Sequence, residues 1–205
     1  MGASLREART QHSGTPDTER LALLVDASRQ LADAGLEPTT VLERLCELVV
    51  PRVGQACHVR LLSEDGDWLH SVSSAQVDPR LRPLLQRCTA SPLRADEGVA
   101  STVLRTGQPV LLTPAEQAQF QLPVEQPSRR PPPSATHLLL LSLRARQRPL
   151  GLLVVHRDAE STPFEPGELL LLQELADRAG LALDVARAYK AERRARHAAE
   201  MTATR

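Results

Sequence analysis

The segment 137–158, "HLLLLSLRARQRPLGLLVVHRD", limits what this chain can fold into more than any other. It holds two apolar runs of strand length joined by the short basic connection "RARQRP". Neither run alternates with polar residues, so each reads as a central strand covered on both faces. A proline-dense stretch, "PVEQPSRRPPPS", precedes the pair, and a long helix follows it, with Thr162 or Glu165 as cap and Pro166 near the first turn. Along that helix Leu172, Leu175, Ala179, Ala182, Ala186 and Tyr189 recur at spacings of three and four, the pattern of a coiled-coil or bundle seam, and this predicts a homodimer. Beyond Lys190 the seam fails while helix propensity persists. A helix with so little core of its own continues into, or pairs with, something else.

Upstream, Thr15 and Pro16 predict a helix whose apolar stripe is Leu21, Leu24, Val25, Leu31 and Ala32 and which stops near Gly35. Thr40 and Glu43 form a capping box for a second helix with Val41, Leu42, Leu45, Leu48 and Val49 on its apolar side, ended by Pro51. "ACHVRLL" and "WLHSVS" then flank a turn at Asp65-Gly66. Strict pairing sets Ser63 opposite Trp68, Leu61 opposite His70 and Arg60 opposite Ser71. Cys57, Val59, Leu61, Trp68, His70 and Val72 then share one face, and His58, Arg60, Leu62, Ser71 and Ser73 the other. Asp78-Pro79 opens a short helix, and Glu97-Gly98 precedes another that reaches Gly107 and runs into a strand at 109–112. Residues 113–134 show no periodicity and read as a loop, either a lid over a pocket or disorder. The polar residues 1–14 read as a disordered tail.

Twenty-five Lys and Arg balance twenty-five Asp and Glu, so no global field draws the chain to nucleic acid or anionic lipid. No apolar run approaches the roughly 18 residues of a membrane helix, and the N-terminus lacks a signal-peptide core; the expectation is a cytoplasmic protein without membrane partners. Three cysteines, Cys46, Cys57 and Cys88, are an odd number without metal-type spacing and are expected as buried free thiols, with redox sensing the alternative reading. His58 and His70 fall on opposite faces of the hairpin and cannot share a metal. No nucleophile–base pair, phosphate loop or paired carboxylates can be assembled, so no catalytic residue is assigned.

The order of these elements, with "LERLCELVVPRVGQACHVRLLSEDG", "VASTVLRTGQPVLL" and the stretch from His137 through "ALDVARAYKAERR", resembles a bacterial GAF domain. The resemblance implies an α+β fold with an antiparallel sheet of five or six strands, terminal helices on one face, and short helices, loops and a small-ligand pocket on the other. It implies a sensory domain over residues 15–194 and a helical linker over 195–205 toward an output domain, of which a histidine kinase is the expected partner. Cyclic-GMP-binding members resemble an Asn-Lys, Phe, Asp-Glu pattern; the matching positions here are His156-Arg157, Phe164 and Glu168-Leu169, and only the Phe is kept. A bilin needs a cysteine beside the pocket helix, and none of the three fits. Haem-binding members place a histidine ahead of the penultimate strand, whereas His137 lies within it. The cofactor therefore stays unassigned, and His58, Arg60, Ser71 and Ser73 are the candidate lining of a pocket covered by 113–134. A ligand-free dimerisation scaffold and a thiol enzyme like the free methionine sulfoxide reductases are the alternatives.

Overall fold

The computed structural model describes residues 17–50, 52–119, 136–158 and 161–203. The tail 1–14, Thr15 and Pro16 lie outside the described residues, as does most of the stretch expected to form a lid. Two helices come first, α1 (Asp17–Asp33) and α2 (Pro38–Val49). Helix α2 starts two residues before the expected Thr40 cap because Pro38, whose fixed φ suits a first turn, occupies its first position after Glu37. Strands β1 (Ala56–Leu62) and β2 (Trp68–Gln76) form the first hairpin. A 3₁₀ turn, Pro79–Leu81, is capped by the Asp78 carboxylate, which accepts from the Arg80 amide, and leads into α3 (Arg82–Thr89). The short β3 (Leu93–Arg94), not foreseen from sequence, pairs with the start of β2. Next come α4 (Gly98–Thr106), closed by Gly107 at φ 70°, and β4 (Val110–Leu112).

The loop reading of residues 113–134 is corrected where the structure describes it. Thr113 and Glu116 cap each other and start α5 (Pro114–Gln119). The central hairpin is β5 (Thr136–Ala145) and β6 (Arg148–Asp158), turned on Arg146 and Gln147, both at positive φ. The chain then enters α6 (Pro166–Ala203), 38 residues long.

All six strands pair antiparallel in the order β3-β2-β1-β6-β5-β4. The expected two-sided burial of the central hairpin is seen, and alternate residues of β5 serve different layers. Leu139, Leu141 and Leu143 meet α1, α2 and α6 in the larger core, whereas Leu138 and Leu140 join Leu152, Val154, Val103 and Leu104 under α4. The fold is thus an α+β sheet with the terminal helices on one face and the short helices on the other.

The seam on α6 is corrected by this packing. Leu172, Leu175, Ala179 and Ala186 are fully buried in the protomer's own core, with Ala182 packed beside them; only Tyr189 stands exposed. A spacing of three and four marks a buried stripe whatever covers it, and here the protomer's own sheet, α1 and α2 cover it. The stripe on α1 is likewise rotated: Ala27 and Leu31 are buried, while Leu21 and Val25 are 64% and 65% exposed.

Small residues set how closely α6 can lie on the sheet. A Cβ at Gly180 would collide with the main chain of Arg144 at the end of β5. Alanine in a helix interior is ordinarily worth about 1 kcal/mol over glycine, but backbone overlap of this kind costs about 1–3 kcal/mol. Gly180→Ala is therefore expected to destabilise the protein on balance, seen as a lower urea midpoint at unchanged m-value; a raised midpoint would show that α6 is free to move away.

Candidate functional site

The candidate lining residues sit on the first hairpin, and one irregularity decides which of them meet. The register runs as the turn dictates, with Arg60 opposite Ser71, Leu61 opposite His70 and Leu62 opposite Leu69. Between Val59 and Arg60 it shifts, so Val59 faces Ser73 and Val72 is the extra residue. A β-bulge reverses the facing of every residue beyond it. His58, Arg60 and Ser71 therefore remain together on the α3/α4 side. Ser73 turns to the opposite side, where its hydroxyl lies 3.5 Å from Cys46 Sγ on α2. Of the four residues expected to line a pocket, three share this side of the sheet.

Arg60 is almost fully buried. Its guanidinium donates to the carbonyls of Leu69 at 3.1 Å and Ser91 at 3.0 Å, and to that of Cys88 near the end of α3. It ties the C-terminal end of α3 to the sheet, where the carbonyl dipoles favour a cation. Its Nε is buried without a partner. Among the described residues no carboxylate forms an ion pair with it.

Beside it lies a residue the sequence reading left out of the lining. His156, opposite Ala56 on β6, is buried with its Nε2 3.2 Å from His58 Nδ1. His156 Nδ1 has no partner, and an orphaned acceptor costs less than an orphaned donor, so the economical tautomer has His156 Nε2–H donating to His58 Nδ1. Burial holds the His156 pKa down at about 4. His58 is held well below its ordinary value by burial first, then by the charges of His156 and Arg60. Both rings are neutral at pH 7. The pair is brought together only by the adjacency of β1 and β6 in the sheet, which the sequence pairing of each hairpin does not announce.

The other positions weighed from sequence fall elsewhere. His70 is exposed and His58 buried on the opposite side, as the register required. His137 pairs with Arg157 across β5 and β6, and its Nδ1 is buried without a partner. Arg157, where the cyclic-nucleotide pattern has Lys, forms a two-pronged ion pair with Glu168 at 2.7 and 2.9 Å and stacks 4.0 Å over Phe164. It stitches the end of β6 to the start of α6. Cys46 and Cys57 lie in the α2 layer, away from Arg60, and burial raises the Cys88 thiol. Among the described residues no cluster of three or more His, Cys, Asp or Glu is placed to hold a metal ion. A separate surface groove of about 510 Å³ runs between Gly107–Pro109 and the first turns of α6, with Arg144 and Gln173 in its wall.

This antiparallel sheet lies between a long-helix layer and a short-helix layer, with buried polar groups beneath the short helices, an α+β architecture. The chain belongs to the GAF domain family, whose pattern matches residues 37–183. Solved structures of the same fold include the GAF domain of a phosphoenolpyruvate-protein phosphotransferase from Coxiella burnetii, with 15% identity over 86% of this chain and 99% of that one and a TM-score of 0.65. A methyl-accepting chemotaxis protein segment matches at 15% identity, over 80% of this chain and 99% of that one, with a TM-score of 0.61. Free methionine-R-sulfoxide reductase from Neisseria meningitidis matches at 14% identity, over 87% and 96%, also with a TM-score of 0.61. No curated protein matches the chain.

The histidine pair makes stability depend on pH with a definite sign. Unfolded imidazoles titrate near about 6.5, so the pair's contribution is complete above that value and is lost as pH falls toward the folded pKa of about 4 of His156. Titration of His156 alone is expected to remove on the order of 3 kcal/mol between pH 7 and 4. Denaturation midpoints across this range should fall in the wild type and fall much less in His156→Gln, whose amide can still donate to His58. Parallel slopes would remove the pair from the account.

Proposed function

We propose that this GAF domain is a sensory or regulatory module of the cytoplasm that dimerises through its terminal helices and controls an attached or partner output domain, such as a histidine kinase. The observation that carries this reading is α6, which continues unbroken to Ala203 although every described side chain from Ala191 on is exposed. A lone helix of that composition gains nothing from standing free in water. The dimer surface lies on the outer side of α6, opposite the buried stripe, where Leu181, Val185 and Tyr189 are 49%, 59% and 42% exposed at successive spacings of four. Leu21 and Val25 on the neighbouring α1 add to it.

The signal enters on the opposite face of the sheet. Arg60, a buried cation without a carboxylate partner among the described residues and with an unpaired Nε, favours a small anionic ligand over a neutral one. Binding there shifts α3 and α4 relative to the sheet, and one packing of the terminal helices in the dimer gains population over another. The ligand-free scaffold is the second reading, supported by the full burial of Leu69, Val103 and Leu152 on this face and by the carbonyls that already hold Arg60.

Two measurements test the proposal. Light scattering should show a wild-type dimer, and Leu181→Glu with Val185→Glu should give a folded monomer with unchanged circular dichroism; Ala179→Glu, buried in the protomer, should instead unfold the chain. A dimer that survives the outer-face substitutions places the interface elsewhere. Native mass spectrometry of the freshly purified protein should reveal a retained anionic mass that Arg60→Met releases. A mass equal to the bare dimer in both proteins would favour the scaffold.

A further inference from the structure

The α2 layer holds a pair of thiols that the sensory reading does not use. Cys46 on α2 and Cys57 on β1 are both buried free cysteines, eleven residues apart in sequence. Cys57 Sγ lies 3.8 Å from the Cys46 carbonyl oxygen, to which its thiol donates, and Ser73 Oγ lies 3.5 Å from Cys46 Sγ. The bulge at Val59/Arg60 creates this arrangement, since an unbroken register would turn Ser73 to the opposite face of the sheet. Two thiols and a hydroxyl converge in an otherwise apolar layer of Val41, Leu42, Leu45 and Val59.

We propose that Cys46 and Cys57 are the two halves of a reversible intramolecular disulfide, formed when a peroxide oxidises the pair. The Cys46 thiolate attacks one peroxide oxygen; the O–O bond breaks, the sulfur keeps that oxygen as a sulfenic acid, and the other leaves as water. Cys57 sulfur then attacks the sulfenic sulfur. The S–S bond forms as the S–O bond breaks, and the hydroxide leaves with the Cys57 proton as a second water. Two thiols are thus oxidised by two electrons and one peroxide is reduced to two waters. A dithiol reductant reverses the bond by exchange.

The division of labour follows from the surroundings. Hydrogen bonds from Cys57 and Ser73 hold the Cys46 thiol below its ordinary pKa despite burial, while the same contact with Cys46, together with burial, raises Cys57. Cys46 is the attacking sulfur and Cys57 the resolving one. Because both are buried, oxidation proceeds through local opening of α2, and the resolving thiol is already in place when α2 closes. Helix α2 packs on α6 in the same core, so the bond would stiffen the layer from which, on the sensory reading, the output helix emerges. That consequence rests on the sensory reading; the bond itself does not.

The full chain, native and reduced, should be treated with hydrogen peroxide, alkylated and digested with trypsin. The expected result is an intact mass lower by two hydrogens before alkylation. The peptides 45–52 and 53–60, separated by cleavage after Arg52, should be linked to each other, with the link removed by dithiothreitol and Cys88 still alkylated. Cys88→Ser should give the same linked pair, while Cys57→Ala should give none. Peptides 45–52 and 53–60 recovered unlinked, a link between chains, loss of the link in Cys88→Ser, or a link formed only in urea would each overturn the proposal.

Discussion

A β5–β6 hairpin whose residues are apolar on both sides cannot be left with either face in water. Leu139, Leu141, Leu153 and Val155 demand one cover, Leu138, Leu140, Leu152 and Val154 another. At roughly 1.5–3 kcal/mol for each such side chain removed from water, these two demands outweigh any preference of the flanking segments, and the rest of the chain is arranged to meet them. The terminal helices, brought together from opposite ends of the sequence, cover the first face. The short helices α3 and α4, with less apolar surface, cover the second. That thinner layer is also where the polar side chains of β1 and β6 become enclosed.

Enclosure gives these polar residues their character. Arg60 is held by main-chain carbonyls and not by a carboxylate, so its charge is solvated by dipoles but not cancelled. The two histidines beside it bond to each other and stay neutral. Hydrophobic side chains in their places would pack with less penalty. Polar groups kept in such a position narrow what the face can accept: an anion satisfies Arg60, whereas a second cation would be repelled. On the proposed ligand-binding reading, the selectivity of this face would come from the imbalance of charge more than from shape.

Much of this was legible in the sequence, and where it failed the reasons are physical. Continuous apolarity told correctly that β5 and β6 are central, and the Asp65-Gly66 turn set the pairing of Arg60 with Ser71. One residue further, Val72 bulges out and Ser73 changes face; alternation along "WLHSVSSAQ" is too weak on either face to announce the slip. The seam on α6 was real as a buried stripe but ambiguous as to partner, because helix periodicity reports that a face is covered and not by what. The outward residues Leu181, Val185 and Tyr189 were visible as apolar letters, yet only the direction of the core shows that they are left over. By contrast the capping box at Thr113 and Glu116 is present in the sequence, but the helix it starts is a short one and the prolines downstream break any periodicity across the stretch. His156 was read against a cyclic-nucleotide pattern and not against its strand neighbour.

The two faces of the sheet are not independent, because one residue touches both helical layers. Arg144 ends β5 with its main chain pressed against Gly180 of α6, while its side chain fills the space where a Cβ at Gly107, the cap of α4, would lie. Its guanidinium also donates to the Gln147 carbonyl at 3.0 Å, and Arg148 reaches Asp184 at 2.7 Å, so the strained Arg146-Gln147 turn is strapped to α6 as well. Gly180 leaves no slack against the Arg144 main chain, whereas the guanidinium beside Gly107 is the far end of a flexible side chain and can yield. A close-packed contact transmits displacement because neither partner can be compressed. On the proposed sensory reading, a shift of the α4 end would be absorbed by the Arg144 side chain, by the hairpin tip or by α6. On that reading α6 is the output element, because its outer face, at Leu181, Val185 and Tyr189, is the one with apolar residues still to be covered.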